Sequence, residues 1–583
     1  MEKKLFTTKA VSVLFVLLSL TCVVQAQWNP DSSRNLGIAV TIGEQVTPKI
    51  VETTDGGCYI SWFDNRNGNY CMYLQRLNSL GEAQWETNGL LISDHDQSSS
   101  LVDYDLTADQ ADNAVVVFTD LRNGSTNDLD VVAYKISPEG TFLWGPDGVG
   151  LSEAGNTDFE PAPMVTATTD GNFVFGWGKI SPSNIYIICF QKVSADGQKQ
   201  WGENGINISG SGSERLQSPD LAPAGGDTVI ALWKNNTGQP WAPITHLITQ
   251  KFAPDGSMAW DTAGVLIYDL GHMSAWTYPE IISDEFGGAY YAWYDSPTSA
   301  EFNVSVQHVD AGGNLIFPLN GVRASTNSSG LHMNPALCYS PFADAIFVFW
   351  VETNINQSQW GLYGQKFNIQ GDRLWTDSGQ EFVGLSSRQI SYVRSQPGDS
   401  SIYVGYFEMP TVINTAVMAF RIDVGGTYYW EPRVLSIADL GSRDDLGMVV
   451  NTENRAFLTW YENRNGNYDV YAQNVNPDGS LGNPSTYVEE TVPTTPISFK
   501  LNPAYPNPFN PTAILSFELP ITSFVTLNVF DVTGRQVATL ANGEYSAGIH
   551  KCNFDGKGLA SGIFFYQLKA ENFIDTKKMV LIK

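Results

Sequence analysis

Asp55-Gly-Gly-Cys-Tyr-Ile-Ser-Trp62-Phe-Asp-Asn-Arg-Asn-Gly-Asn-Tyr-Cys-Met-Tyr-Leu-Gln75-Arg-Leu-Asn78 returns in recognisable form about four hundred residues later, with Asn-Arg-Asn-Gly-Asn-Tyr unchanged. There it reads Glu453-Asn-Arg-Ala-Phe-Leu-Thr-Trp460-Tyr-Glu-Asn-Arg-Asn-Gly-Asn-Tyr-Asp-Val-Tyr-Ala-Gln473-Asn-Val-Asn476. Self-similarity at this level marks a repeat architecture. One aromatic anchor of the repeat recurs at Trp62, Phe118, Trp177, Trp233, Trp293, Trp350, Tyr406 and Trp460. A second recurs at Trp28, Trp85, Trp144, Trp201, Trp260, Phe317, Trp375 and Trp430. Successive members of the second series stand roughly 55–59 residues apart, a little longer than the repeats of about 20–50 residues that commonly build rings and solenoids.

Each unit holds four β-like runs. The first follows a proline (Pro48, Pro219, Pro279, Pro335) and the second alternates around the first anchor, as in Cys58-Tyr-Ile-Ser-Trp62. The third alternates from Tyr70 to Leu77, and the fourth follows the second anchor, as in Gly89-Leu-Leu-Ile-Ser93. Period-two patterning between Gly, Asn, Asp and Pro turns is the strand signature, and no window carries a helical stripe. Four short strands per unit predict an all-β fold, an eight-bladed β-propeller over 27–482, with seven blades as the alternative. The last unit stops after Asn476-Pro-Asp-Gly479, whereas the N-terminal region supplies Trp28 and Gly37-Ile-Ala-Val-Thr-Ile42. Those pieces are expected to complete the final blade and so remove an exposed sheet edge.

The flanks read differently. Lys3, Lys4 and Lys9, the apolar run Val11 to Leu20, and Val24-Gln25-Ala26 form a signal peptide over 1–26. Residues 483–499 are a Pro/Thr/Glu-rich linker. Beyond it stand Tyr505-Pro-Asn-Pro-Phe-Asn-Pro511, Val529-Phe-Asp-Val-Thr-Gly-Arg-Gln-Val537, Gly558-Leu-Ala-Ser-Gly-Ile-Phe-Phe-Tyr566 and Lys577-Lys-Met-Val-Leu-Ile-Lys583. On these motifs, residues 500–583 resemble the type A sorting domain of the type IX secretion system, an Ig-like β-sandwich akin to that of the flagellar hook-capping protein. The resemblance implies passage across the outer membrane of a Gram-negative bacterium by the type IX secretion machinery. The product would be secreted or held at the cell surface.

Composition narrows the function. With 33 Lys and Arg against 61 Asp and Glu, the formal net charge is −28, which repels nucleic acid and anionic lipid. Outside the signal peptide, Cys58, Cys71, Cys189, Cys338 and Cys552 form neither a CxxC pair nor a zinc spacing and read as free thiols. Enzyme signatures such as HExxH and GxSxG are absent. A glycosidase needs only two carboxylates, which an acidic chain can supply without a motif. The candidate binding groups are the hairpin acids and arginines Asp64 and Arg66, Asp120 and Arg122, Glu462 and Arg464, from units that ring closure makes neighbours, together with the loop residue Trp276. They could hydrogen-bond a sugar or peptide, although stiff Asn-Gly turns with local ion pairs account for the same residues. His272 and His332 are placed in loops of the same face. Asn127-Asp128-Leu-Asp130 and Asp94-His-Asp96 are the calcium candidates, and neither shows a full ligand series. No other cofactor is expected. The expected protein is a monomeric, non-enzymatic module for carbohydrate or protein, with a polysaccharide hydrolase or lyase, or a structural adhesin, as alternatives.

Overall fold

A computed structural model describes residues 27–483 and 499–581, apart from 98–102, 123–128, 153–157, 240–241, 275–276, 412–413, 438–442, 503, 505–506, 508, 510 and 572. The signal peptide and nearly all of the linker lie outside the described residues. The chain divides into two compact units, one through residue 484 and one from residue 485. Among the described residues every regular element is a strand.

The first unit is propeller-like, with eight four-stranded antiparallel sheets. The first sheet runs Gln45–Glu52, Cys58–Asp64, Cys71–Leu77, Leu90–Ser93, and six more repeat that order along the chain. The eighth takes Arg443–Val450, Ala456–Glu462 and Asp469–Val475 from the end of the unit and its fourth strand, Leu36–Ala39, from the beginning. Leu36 lies opposite Ala472 and Gly37 opposite Tyr471. The first strand of each sheet packs against the first strand of the next, and Arg443–Val450 of the eighth packs against Gln45–Glu52 of the first. The contacts form a cycle.

The two aromatic series do different work. Trp62, Trp293, Trp350 and Trp460 of the first series are wholly buried in second strands, where both faces of the sheet meet neighbours and apolar runs replace strict alternation. The second series joins sheets. The indole N–H of Trp85, in the first sheet, donates to the Pro138 carbonyl of the second at 3.0 Å. Trp144, Trp201, Trp260, Trp375 and Trp430 repeat this bond onto Ala195, Pro254, Ala311, Gly425 and Pro477 of the following sheet, at 3.0–3.2 Å. Trp28 donates to Ser79 of the first sheet at 3.2 Å and stacks on Phe457 of the eighth, ring centroids 5.1 Å apart. The turn it caps needs glycine twice over: Gly81 has φ +81°, and a Cβ there would meet the Trp28 ring at 2.8 Å.

In six of the eight sheets a buried glutamine in the third strand holds the second-series segment in place. Gln75 Nε2 donates to the carbonyl of Glu86, the residue after Trp85, at 2.8 Å, and its Oε1 accepts the Trp85 N–H at 3.2 Å. Gln191, Gln250 and Gln365 make the same two bonds around Trp201, Trp260 and Trp375, and Gln307 around Phe317. Gln473 of the eighth sheet donates to Asn29 O at 2.8 Å, so the segment after Trp28 occupies the position that Trp85-Glu86 holds in the first sheet.

Cys58, Cys71, Cys189 and Cys338 are buried free thiols and Cys552 a half-buried one. In the first hairpin Cys58 faces Leu77 and Cys71 faces Asp64, so these two are not cross-strand partners.

The second unit has a three-stranded sheet (Lys500–Leu501, Thr512–Leu519, Gly548–Asp555) and a four-stranded one in the order Gln536–Tyr545, Ser523–Asp531, Gly562–Ala570, Phe573–Leu581. Strict alternation in Thr512–Leu519 and Ser523–Asp531 turns one face of each sheet inward, and both contribute to one core containing Phe517, Leu527, Val529 and Tyr566. The start of the unit is tied to its basic end: Phe509 N donates to Val580 O, and Val580 N to Asn507 Oδ1, both at 2.9 Å.

Candidate functional site

The hairpin acids face inward. Asp64 is 1% exposed and Asp120 and Glu462 are fully buried: each ends a second strand packed on both faces, two residues beyond a first-series anchor and on the same side as it. Asp64 accepts the Trp62 indole N–H at 3.0 Å and the Arg66 backbone N–H at 2.9 Å. Arg66 pairs with it, donates outward to Asn88 O at 2.9 Å and covers the Tyr73 ring at 4.2 Å. Arg122 holds Asp120 through two bonds of 2.8 Å and reaches Asp147 O at 2.7 Å. Glu462 takes the Trp460 indole N–H at 3.0 Å and pairs with both Arg464 and Arg443. Each acid is thus bound to arginine within its own sheet, and the first two arginines lock the hairpin to the loop before the outermost strand. Local ion pairs of this kind are what the stiff-turn reading of these residues expects.

Trp276, Asn127 and Asp128 lie outside the described residues. His272 is exposed in a loop, but His332 is not a loop residue. It sits in the strand Gly330–Ser340, 2% exposed, 3.1 Å from Glu352. That first strand is already paired before its proline, with a register break between Met333 and Ala336. Among the described residues no group of three or more His, Cys, Asp or Glu is arranged to hold a metal ion.

The break in Gly330–Ser340 is one of a set. First strands shift register between Val46 and Lys49, Gln217 and Asp220, Ser391 and Arg394, and Asp444 and Gly447. At these bulges Thr47, Ser218, Asn334, Tyr392 and Asp445 take φ near +50°, sparsely populated backbone of the kind that persists only where surroundings impose it. Two residues after each bulge, a side chain is re-aimed along the inner strand. At that place in the repeat stand Lys49, Asp105, Asp220, Glu280 and Arg394. The hairpin motifs carry no sign of them. The signal was present: a charged residue directly after a strand-opening proline, as in Pro48-Lys49, Pro219-Asp220 and Pro279-Glu280, contradicts the apolar reading of a buried strand.

These groups stitch neighbouring inner strands together. Asp105 accepts from Val165 N at 3.0 Å, Glu280 from Leu337 N at 2.8 Å, and Arg394 Nε donates to Leu446 O at 2.9 Å. Lys49 pairs with Asp103 at 2.9 Å. Where the first, second, seventh and eighth sheets converge, a cavity of about 620 Å³ opens, lined by Lys49, Asp103, Asp105, Arg394, Asp445 and three tyrosines, Tyr70, Tyr461 and Tyr468. Burial raises the carboxyl of Asp105 to about 6, with Lys49 opposing, and that of Asp445 to about 6, aided by Asp444 and Asp103. Burial likewise raises Asp220 and Glu280, each to about 7. Lys49 is raised because Asp103 and Asp105 outweigh the opposing effect of its burial.

The inner strands therefore hold carboxyls whose protons leave near neutrality, two to three units above the ordinary 3.8 and 4.5. A carboxyl bound more tightly by its proton in the folded state stabilises that state fully below its unfolded pKa and loses the contribution as pH rises through the folded one. Carboxyls held low, such as Asp109, Asp170 and Asp284, contribute fully above about pH 4 and lose that contribution only as pH falls below it. The thermal midpoint is thus expected to fall between about pH 4.5 and pH 7.5, and the Asp220→Asn, Glu280→Gln double variant to show a shallower slope. A midpoint that rises across that window in calorimetry contradicts the assignment.

Comparison with known proteins follows the same division of the chain. A search of the curated proteins finds no match. Among solved structures, a polysaccharide lyase, Uly1, aligns at 9% identity and TM-score 0.39, covering 76% of this chain and 92% of its own. A Dyadobacter fermentans protein of unknown function aligns at 10% identity and TM-score 0.34, covering 56% and 96%. An endo-arabinase from Bacteroides thetaiotaomicron aligns at 10% identity and TM-score 0.29, covering 64% and 94%. The family model of a secretion system C-terminal sorting domain matches residues 503–583. The C-terminal unit is therefore a sorting domain of the type IX secretion system, which marks the chain for export.

Proposed function

We propose that the chain is an exported eight-bladed β-propeller, residues 27–482, that binds carbohydrate at the cavity between its first, second, seventh and eighth blades. An Ig-like sorting domain follows at 500–583, the linker lies at 483–499 and the signal peptide at 1–26. In this reading the protein is monomeric and non-enzymatic, released or retained at the cell surface.

One observation carries the proposal: the cavity combines three tyrosines with carboxylates, a lysine and an arginine. Carboxylate and guanidinium groups hydrogen-bond vicinal hydroxyls in pairs, and tyrosine rings cover the C–H face of a sugar while their hydroxyls stay bonded. Screening the exported protein on an array of glycans is expected to identify a ligand whose affinity falls at least about tenfold, near 1.4 kcal/mol, on Asp105→Asn or Arg394→Met. Binding unchanged in both variants sends the ligand elsewhere.

A polysaccharide hydrolase or lyase is the second reading, and the carboxyls of Asp105, Asp220 and Glu280 support it, because titration near neutrality suits general acid–base work. Polymer turnover abolished by a single change among these three would establish that reading and displace the first.

A further inference from the structure

Seven of the eight junctions between successive sheets carry the indole bond described above, and the eighth does not. Between the fifth and sixth sheets the second-series residue is Phe317. Its ring still lies under the turn glycine, since a Cβ on Gly371 would meet it at 2.8 Å, but it has no N–H to give. The residue matching those whose carbonyls accept the indole elsewhere is Ile369.

A second device is missing at the same junction. The residue after the clamp glutamine is usually a long cation that reaches the next sheet: Lys251 Nζ donates to Gly287 O at 2.8 Å, Lys366 Nζ to Val424 O at 2.9 Å, and Arg421, at the matching place, to Pro477 O at 2.7 Å. In the fifth sheet this residue is His308. The imidazole turns back to Asp284 of its own sheet at 3.0 Å and stacks by Tyr290, centroids 4.3 Å apart. Its Nδ1 has no hydrogen-bond partner although the residue is only 9% exposed. The space so released is a pocket of about 440 Å³ lined by Phe286, Tyr290, His308, Asp310, Asp344 and Ile369.

We propose that this pocket binds an alkylammonium or guanidinium group, taking from a ligand what the other junctions take from the chain itself. With its imidazole turned to Asp284, His308 leaves this wall of the pocket without the ammonium that Lys251 and Lys366 supply at matching places. Asp310 and Asp344 supply negative charge, and the exposed Phe286 supplies aromatic surface suited to a cation. No lysine or arginine lines the pocket.

The source of the cation is a free amine or a basic side chain of another protein, and two titrations separate them. Isothermal calorimetry of the full mature chain with agmatine and with a pentalysine peptide is expected to show one-to-one binding, the tighter partner identifying the source. Phe317→Trp restores the indole and His308→Lys the tethered ammonium, each using a residue the chain already accepts at matching places. Both are expected to weaken agmatine binding at least about tenfold. Should Phe317→Trp fail to fold, His308→Lys decides alone. Absence of binding by both probes, or wild-type affinity in His308→Lys, overturns the proposal.

Discussion

Trp28→Ala is expected to destabilise the first unit by about 3–5 kcal/mol, the cost of emptying a buried aromatic site. Trp28 is 3% exposed, stacked on Phe457 of the eighth sheet and hydrogen-bonded to Ser79 of the first, so one side chain spans the only junction at which the two ends of the repeat array meet. Its removal leaves the pairing of Leu36–Ala39 with Asp469–Val475, the Gln473 bond to Asn29 and the Asn35 bonds to Leu435 O and Gln473 Oε1 to hold the N-terminal segment. Urea unfolding followed by tryptophan fluorescence measures the loss. Trp201→Ala is the control, because it empties a similar site at an interior junction while the chain ends stay joined. Trp28→Ala should in addition make residues before Gln45 sensitive to protease under native conditions. A loss below about 1 kcal/mol with no new cleavage would mean that Trp28 is not a closing wedge.

Glu462→Ala is expected to be at least as costly, again about 3–5 kcal/mol, for a different reason. Glu462 and Arg443 have fully buried side chains, and Arg464 is largely covered. The carboxylate balances two guanidinium groups and accepts the Trp460 indole proton. Deleting it leaves both cations facing each other in a site closed to water, which costs far more than the net value of the intact pair. Glu462→Gln keeps the shape and one acceptor oxygen and should fall between the wild type and the alanine variant. The same logic extends to Asp64 and Asp120, whose arginines would lose their counter-charge inside the sheet. If Glu462→Ala proves neutral in unfolding but abolishes glycan binding, the hairpin acid is a ligand group after all.

The repeat was legible in the sequence because its physics is local. Large aromatics at fixed spacing, Gly turns and period-two runs each report on a few neighbouring residues, and the match of Asp55–Asn78 to Glu453–Asn476 needs no tertiary knowledge. The missing fourth strand of the last unit also pointed to the N-terminus, since a strand pattern without its partner leaves an edge open. The hairpin acids show how packing can produce a ligand-like composition. Asp64-Asn-Arg66 has the composition of a ligand loop, yet alternation from Trp62 already turns Asp64 inward, and the arginine follows it. Lys49 and Arg394, which line the cavity between the first, second, seventh and eighth sheets, were hidden by the bulges: a shift of register at Thr47 or Tyr392 re-aims them, and no periodicity argument crosses such a break. The pocket between the fifth and sixth sheets was legible only as Phe317 standing where the other units have tryptophan. Its meaning required knowing that the indole N–H, and not just the ring, joins the sheets.

Amide hydrogen exchange along Asp469–Val475 interrogates ring closure most directly. This strand is interior to its sheet only if Leu36–Ala39 lies against it, just as Tyr186–Val193 is interior to the third sheet between its own neighbours. Closure by the N-terminal strand predicts that the amides of the two strands exchange with comparable, slow rates in the intact protein. It also predicts that removing residues 27–43 releases the Asp469–Val475 amides that point toward the vacated edge. Rapid exchange of those amides in the intact protein, at the rate of an uncovered edge, would contradict it.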